Sequence, residues 1–135
     1  SMNEPQLTAA DAELVTAACE VRQYAYAPYS KFLVGAALRL QDGVIVTGAN
    51  VENASYGLTV CAERLAIATA AASGKRRFDT LAVATPGGHS MCGACRQFAS
   101  EFGDLRILLV DADRPEKVAE HRLSELLPNG FRFGK

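Results

Sequence analysis

Tryptophan is absent from the chain, histidine and methionine occur twice each, and neither sign of charge prevails: 14 lysines and arginines face 15 aspartates and glutamates, a formal net charge of -1. Without an excess of positive charge there is no field to gather a polyanion, which argues against nucleic acid as a partner and in favour of a small molecule. Long apolar runs are missing as well. None approaches the ~20 residues that cross a bilayer, and the first residues show no charged segment leading into an apolar one, so no membrane partner is expected and the cytoplasm is the expected compartment. Ser1, ahead of Met2, reads as a cloning remnant before a normal start. Cys19, Cys61, Cys92 and Cys95 are the only cysteines. In a chain without a secretory leader they read as metal ligands or thiols rather than as a disulfide framework.

What is present fits one globular unit. Hydrophobic residues make up 49% of the 135 and charged ones 21%, ordinary for a globular chain, and the length supports one core but not two, so residues 1-135 are read as a single domain. Leu14, Val15, Ala18, Cys19 and the stem of Arg22 recur at helical spacing behind Thr8, which predicts a helix from Thr8 to about Tyr26. Alternation over Phe32 to Leu40, then Asp42-Gly43 and Val44-Ile45-Val46, predicts a hairpin. The alanine-rich stretch from Cys61 to Ser73 reads as a helix that begins at a cysteine and ends at Gly74, with Lys75-Arg76-Arg77 complementing its C-terminal dipole. Thr80 to Thr85 and Leu105 to Val110 read as buried strands, Cys92 to Phe102 as a second helix beginning at a cysteine, and Glu116 to Leu127 as a short edge strand with a turn of helix. That order predicts an α/β fold, a three-layer αβα sandwich around a central mixed β-sheet.

The chemistry gathers in Cys61-Ala62-Glu63 and Cys92-Gly93-Ala94-Cys95. Three thiolates around one Zn²⁺ leave the fourth tetrahedral position open, as catalytic rather than structural zinc sites do, and one zinc ion per chain is the expected cofactor. Such a site carries a net charge of about -1, which opposes ionisation of a bound water. Two helix N-termini and Arg64, within reach of the ligand sulfurs, can offset it. Glu63, two residues from a ligand, can reach the open position without binding the metal and act as a proton shuttle. Two other readings stay open on spacing alone: a thioredoxin-like redox pair at Cys92 and Cys95, and a structural zinc site completed by Cys19 or His89 that would make the protein a binding module.

Between Tyr26 and Phe131 the chain resembles the cytidine deaminase family, in its small homotetrameric form. The resemblance is carried by Tyr26-Ala-Pro-Tyr-Ser-Lys-Phe32, Gly48-Ala-Asn-Val-Glu-Asn-Ala-Ser-Tyr56, Cys61-Ala-Glu-Arg64, Cys92-Gly-Ala-Cys-Arg-Gln97 and Leu126-Leu-Pro-Asn-Gly-Phe131. It implies that Cys61, Cys92 and Cys95 bind zinc and that hydroxide attacks C4 of cytidine or deoxycytidine. Glu63 would protonate N3, take the proton of the metal's water and deliver it to the departing amine, giving uridine or deoxyuridine and ammonia, a reaction of pyrimidine salvage. It implies further that the Ala62 amide holds the pyrimidine O2, that Asn50 and Glu52 bind the ribose 3′-hydroxyl, and that Phe32 lies beside the base. Tyr56 and Phe131 would complete the site of a neighbouring subunit in a homotetramer. Related deaminases of the nucleoside antibiotic blasticidin S share much of this set but usually lack arginine after Cys-Ala-Glu, so Arg64 favours cytidine; strand-editing deaminases need a basic groove that this charge balance does not provide. Two departures stand out. Met91 occupies the place where the family usually has a proline that fixes the loop before Cys92. After Phe131 only Arg132-Phe133-Gly134-Lys135 remain, so a lid over the sugar is expected to differ.

Overall fold

Strands buried on both faces carry apolar residues almost without interruption, and the three central strands here do so. The computed structural model describes residues 5-134; Ser1 and Lys135 lie outside the described residues. Helix α1 (Ala9–Val21) passes through a short 3₁₀ turn, Arg22–Tyr24, and a loop into the hairpin β1 (Gly35–Leu40) and β2 (Ile45–Ala49). Then come a 3₁₀ turn at Tyr56–Leu58, α2 (Ala62–Ala72), β3 (Phe78–Thr85), α3 (Gly93–Ser100), β4 (Arg106–Asp111), β5 (Arg114–Arg122) and α4 (Leu123–Leu126). The sheet runs β2-β1-β3-β4-β5, parallel between β3 and β4 and antiparallel elsewhere. It is therefore mixed, as expected.

The pleat sorts the core into two halves. Ala36, Leu38, Leu81, Val83, Ile107 and Leu109 face α2 and α3, where they meet Ala66, Ile67, Cys95 and Ala99. Ala37, Ala82, Ala84, Leu108 and Val110 face α1 and meet Leu14, Val15 and Ala18. These are the three layers of the αβα sandwich. No helix among the described residues is long and apolar enough to cross a membrane.

Most predicted elements occur near their expected places. Phe32 to Val34 lies ahead of β1 as loop, the second strand extends to Ala49, and β5 is longer than the short strand expected, with nine residues. Pro115 hid its start; β5 is a sheet edge, where a missing backbone donor costs little. Cys19 is half-buried against the α1 side of the core, and burial raises its thiol pKa. The basic run after α2 follows a Schellman end: the Lys75 and Gly74 amides donate to Ala70 and Ala71, and Gly74 has φ +87.

One ionic centre escaped sequence reasoning. Asp11, in the first turn of α1, closes a capping box with Thr8 and is 1% exposed. Arg106 grips its carboxylate with two nitrogens at 2.8 and 3.0 Å, and Arg39 adds a bond at 3.0 Å. Bonds from Arg106, with smaller contributions from Thr8 and Arg39, hold the Asp11 pKa far below the carboxylate range against the opposing effect of burial. A depressed carboxylate contributes stability that is present above its unfolded pKa of about 3.9 and is lost as pH falls towards the folded value. Asp11→Asn keeps the cap and removes the charge. It should cost about 3 kcal/mol at pH 7, the lower end for a broken buried pair, because the arginines stay 16% and 20% exposed. In urea unfolding, the gap between wild type and variant should narrow as pH falls below about 4.

Candidate active site

Cys61 and Cys92 are the N-cap residues of α2 and α3, in extended conformation with ψ 151 and 163. Neither thiol caps its own helix; both join the thiol of Cys95, one turn into α3. The three sulfurs lie within 4.8 Å of one another, and those of Cys92 and Cys95 are 3.4 Å apart. Zinc with Zn–S bonds of about 2.3 Å needs sulfurs about 3.8 Å apart, so the donor set and spacing suit the ion. This is the only such group among the described residues. His89 is not part of it, and Cys19 packs in the core half on the far side of the sheet, so neither candidate fourth ligand of a structural site is in place.

The three thiols perturb one another. A hydrogen bond from Cys95, with help from Arg64, lowers the Cys61 pKa, and the same bond together with burial raises that of Cys95. Arg64 places one terminal nitrogen 3.7 Å from the Cys61 sulfur and 3.1 Å from the Thr59 carbonyl. Glu63 is buried at 5% exposure, and desolvation raises its pKa to about 6.

A cleft of about 410 Å³ opens over this centre, reaching from Cys61, Ala62, Glu63 and Cys92 at one end to Asn50 and Glu52 at the other. Asn50 is occupied with the loop before β1: its oxygen accepts from the Val34 amide at 2.8 Å and its nitrogen donates to the Phe32 carbonyl at 2.9 Å. Glu52 accepts from the amides of Tyr29 and Ser30 at 3.0 and 3.1 Å and from the Ser30 hydroxyl, bonds that lower its pKa. Between them Lys31 holds φ +61, an unfavourable conformation for a residue with a side chain that these bonds stabilise. Phe32 lines the cleft, its ring 6.0 Å from that of His89.

The structure thus brings Phe32, Asn50, Glu52, Ala62, Glu63 and two of the three cysteines to one cavity, with Cys95 behind them in the core. It leaves Tyr56 and Phe131 outside, 75% and 69% exposed. Tyr56 borders an adjoining hollow of about 280 Å³ and stacks edge-on against Tyr29. Sequence reasoning missed Thr85 and Ser90 as cleft residues and weighed His89 only as a ligand. The glycine pair before His89 was the available signal: both residues have positive φ, and the imidazole lies over Gly87. Met91 is 2% exposed in the core and absent from the cleft wall, while Arg96 holds its carbonyl at 2.8 Å.

An α/β sandwich whose two helix N-termini gather three cysteine sulfurs and a buried glutamate at the floor of one cleft defines a zinc enzyme. Residues 8–110 match the family model described as the cytidine and deoxycytidylate deaminase zinc-binding region. A probable cytidine deaminase of Dictyostelium discoideum is 44% identical over 131 residues, covering 90% of this chain and 83% of the relative. A cytidine deaminase of Halalkalibacterium halodurans is 43% identical over 122 residues, covering 87% and 91%. The crystal structure of cytidine deaminase from Burkholderia pseudomallei superposes with a TM-score of 0.85 at 44% identity, over 93% of this chain and all of that one. The chain belongs to the cytidine deaminase family.

The first turn of α2 is seated on Gly48 of β2. A Cβ there would lie 2.5 Å from the Ala62 carbonyl oxygen and 2.7 Å from the Ala66 nitrogen. Gly48→Ala should push α2 off the sheet, costing about 1–3 kcal/mol as overpacking does and loosening the metal. Thermal unfolding and zinc content of the purified variant test both effects.

Proposed function

We propose that this chain deaminates free cytidine and deoxycytidine hydrolytically to uridine and deoxyuridine with release of ammonia. The observation that carries this is a buried carboxyl, Glu63, beside three clustered sulfurs at one end of a nucleoside-sized cleft whose other end holds Asn50 and Glu52. Cys61, Cys92 and Cys95 would hold one zinc ion per chain, which would supply the Lewis acidity that makes water a nucleophile near neutral pH.

The remaining roles belong to side chains and backbone. Glu63 donates a proton to ring N3 and then receives, in turn, the two protons that the attacking water loses as its oxygen becomes the C4 carbonyl, passing one to the amine that leaves C4 and keeping the other to restore its starting form. The consumed water thereby supplies the new carbonyl oxygen, the proton that departs with ammonia and the one that replaces the proton given to N3. Burial favours the protonated form that the first transfer needs. The Ala62 amide, at the head of α2, faces O2 of the pyrimidine with the positive end of the helix dipole behind it. Phe32 lies along the base. Arg64 offsets the sulfur charge at Cys61.

Asn50 and Glu52 retain capacity for the ribose 3′-hydroxyl after holding the loop. Asn50 has one amide hydrogen and one lone pair unspent by its two bonds, and Glu52 accepts three donors where a carboxylate can accept four. Tyr56 and Phe131, together with exposed Tyr24, Tyr26 and Leu58, give the surface an apolar character that further copies of the chain would cover. A homotetramer in which these aromatics complete neighbouring clefts is the assembly we favour. A single domain, a cytoplasmic setting that keeps the cysteines reduced, and a role in pyrimidine salvage complete the proposal.

Two substitutions test the assignment. Glu63→Gln should retain one zinc per chain while cytidine turnover, followed by ultraviolet absorbance and ammonia release, falls at least about 10²–10⁴-fold, the range for one general acid–base group. Turnover near wild type in that variant would rule out the shuttle. Cys92→Ala should lose metal and activity together, and tight zinc retention there would require a different ligand set.

A further inference from the structure

Arg96 follows Cys95 on α3 and commits every nitrogen of its guanidinium. Nε donates to the Met91 carbonyl at 2.8 Å, one terminal nitrogen to the Ser90 hydroxyl at 2.9 Å, and the other to the Leu126 carbonyl at 2.6 Å. The first two bonds fall on the residues just before Cys92. The Met91 carbonyl belongs to the same peptide plane as the Cys92 nitrogen, so fixing that oxygen fixes the backbone from which the Cys92 sulfur projects. The third bond reaches the end of α4, where helix carbonyls lack partners of their own. Gln97, the next residue, donates to the Phe131 carbonyl at 3.0 Å.

Met91 sets no limit on its own φ, unlike a proline. Its side chain anchors in the core, but its peptide must be oriented from outside. A planar fork that meets three acceptors at fixed angles can do this, whereas an ammonium group presents a single point charge. We infer that Arg96 is a positioning residue: it sets the Cys92 sulfur in place for zinc and ties that loop to the 126–131 segment carrying Phe131. This rests on the proposed reading of Cys92 as a ligand. Through Arg96, the tail and the metal loop share one brace, so loosening the brace speeds metal loss without dismantling the sheet.

The test follows zinc release from the purified holoenzyme into excess chelator with a colorimetric indicator, for wild type, Arg96→Lys and Arg96→Gln, alongside thermal unfolding of each metal-free chain. Arg96→Lys keeps the charge and loses the fork. It should release zinc about 10–100-fold faster, the range for lost support of a metal ligand, while its metal-free unfolding temperature stays close to wild type; Arg96→Gln should release zinc at least as fast. Release at the wild-type rate from both variants, beside a wild type that holds its zinc, overturns the inference and leaves the deaminase reading intact. Faster release that only tracks a loss of metal-free stability also overturns it, since Arg96 would then support the fold in general. A wild type that binds no zinc removes the ligand reading itself, and the inference with it.

Discussion

Backbone meets backbone where α2 crosses β2 at Gly48, and the cleft is built outward from that contact. The carbonyl of Ala62 and the amide of Ala66 occupy the space a side chain would fill. This fixes the first turn of α2, and with it Cys61, Ala62, Glu63 and Arg64. Asn50 lies two residues beyond Gly48 on the same chain and Glu52 two further on, and these two pin the loop that carries Phe32. The α2 half of the metal end and the opposite wall are therefore both tied to β2 and the residues just after it. Small side chains make such an approach possible; overpacking here would be felt at both ends of the cavity at once.

Electrostatics imposes the second constraint. Three clustered sulfurs and a buried carboxyl repel one another when ionised, and their mutual hydrogen bonding lowers the pKa of Cys61 while raising that of the buried Cys95. A divalent ion, two helix N-termini and Arg64 supply the opposing charge. Metal uptake must expel thiol protons, so metal affinity rises with pH. Glu63 belongs to the first turn of α2, which directly follows the Cys61 N-cap, and its carboxyl is buried beside the sulfurs without joining their cluster.

Local chemistry was legible in the sequence and distant pairing was not. Asp42-Gly43 announced the hairpin, alanine content and Gly74 bounded α2, and cysteines at helix starts pointed to the thiol cluster, because each signal acts within a few residues. Asp11 and Arg106 are 95 positions apart and gave no such signal. Residue type suggested substrate roles for Asn50 and Glu52 only through family resemblance, and nothing local indicated that their side chains also hold the 29–34 loop. Arg96 was quoted within a motif without a role, since its three acceptors lie at positions 90, 91 and 126.

The sheet separates two kinds of work. On the α1 side, alanines at 37, 82 and 84 admit a helix closely, and Asp11 fastens it to Arg39 on β1 and Arg106 on β4. That clamp binds non-neighbouring strands through one buried carboxylate and has no part in the cleft. On the other side, α2 is seated on Gly48, and the N-cap residues Cys61 and Cys92 turn their thiols to the shared cluster instead of to their own helices. The arrangement lets the reactive face keep costly features, such as a buried carboxyl, clustered thiols and a left-handed Lys31, because the packing and ion pairing of the opposite face offset them. A change to the clamp should therefore reach the site through the stability of the whole fold, whereas a change at Gly48 alters the site's geometry directly.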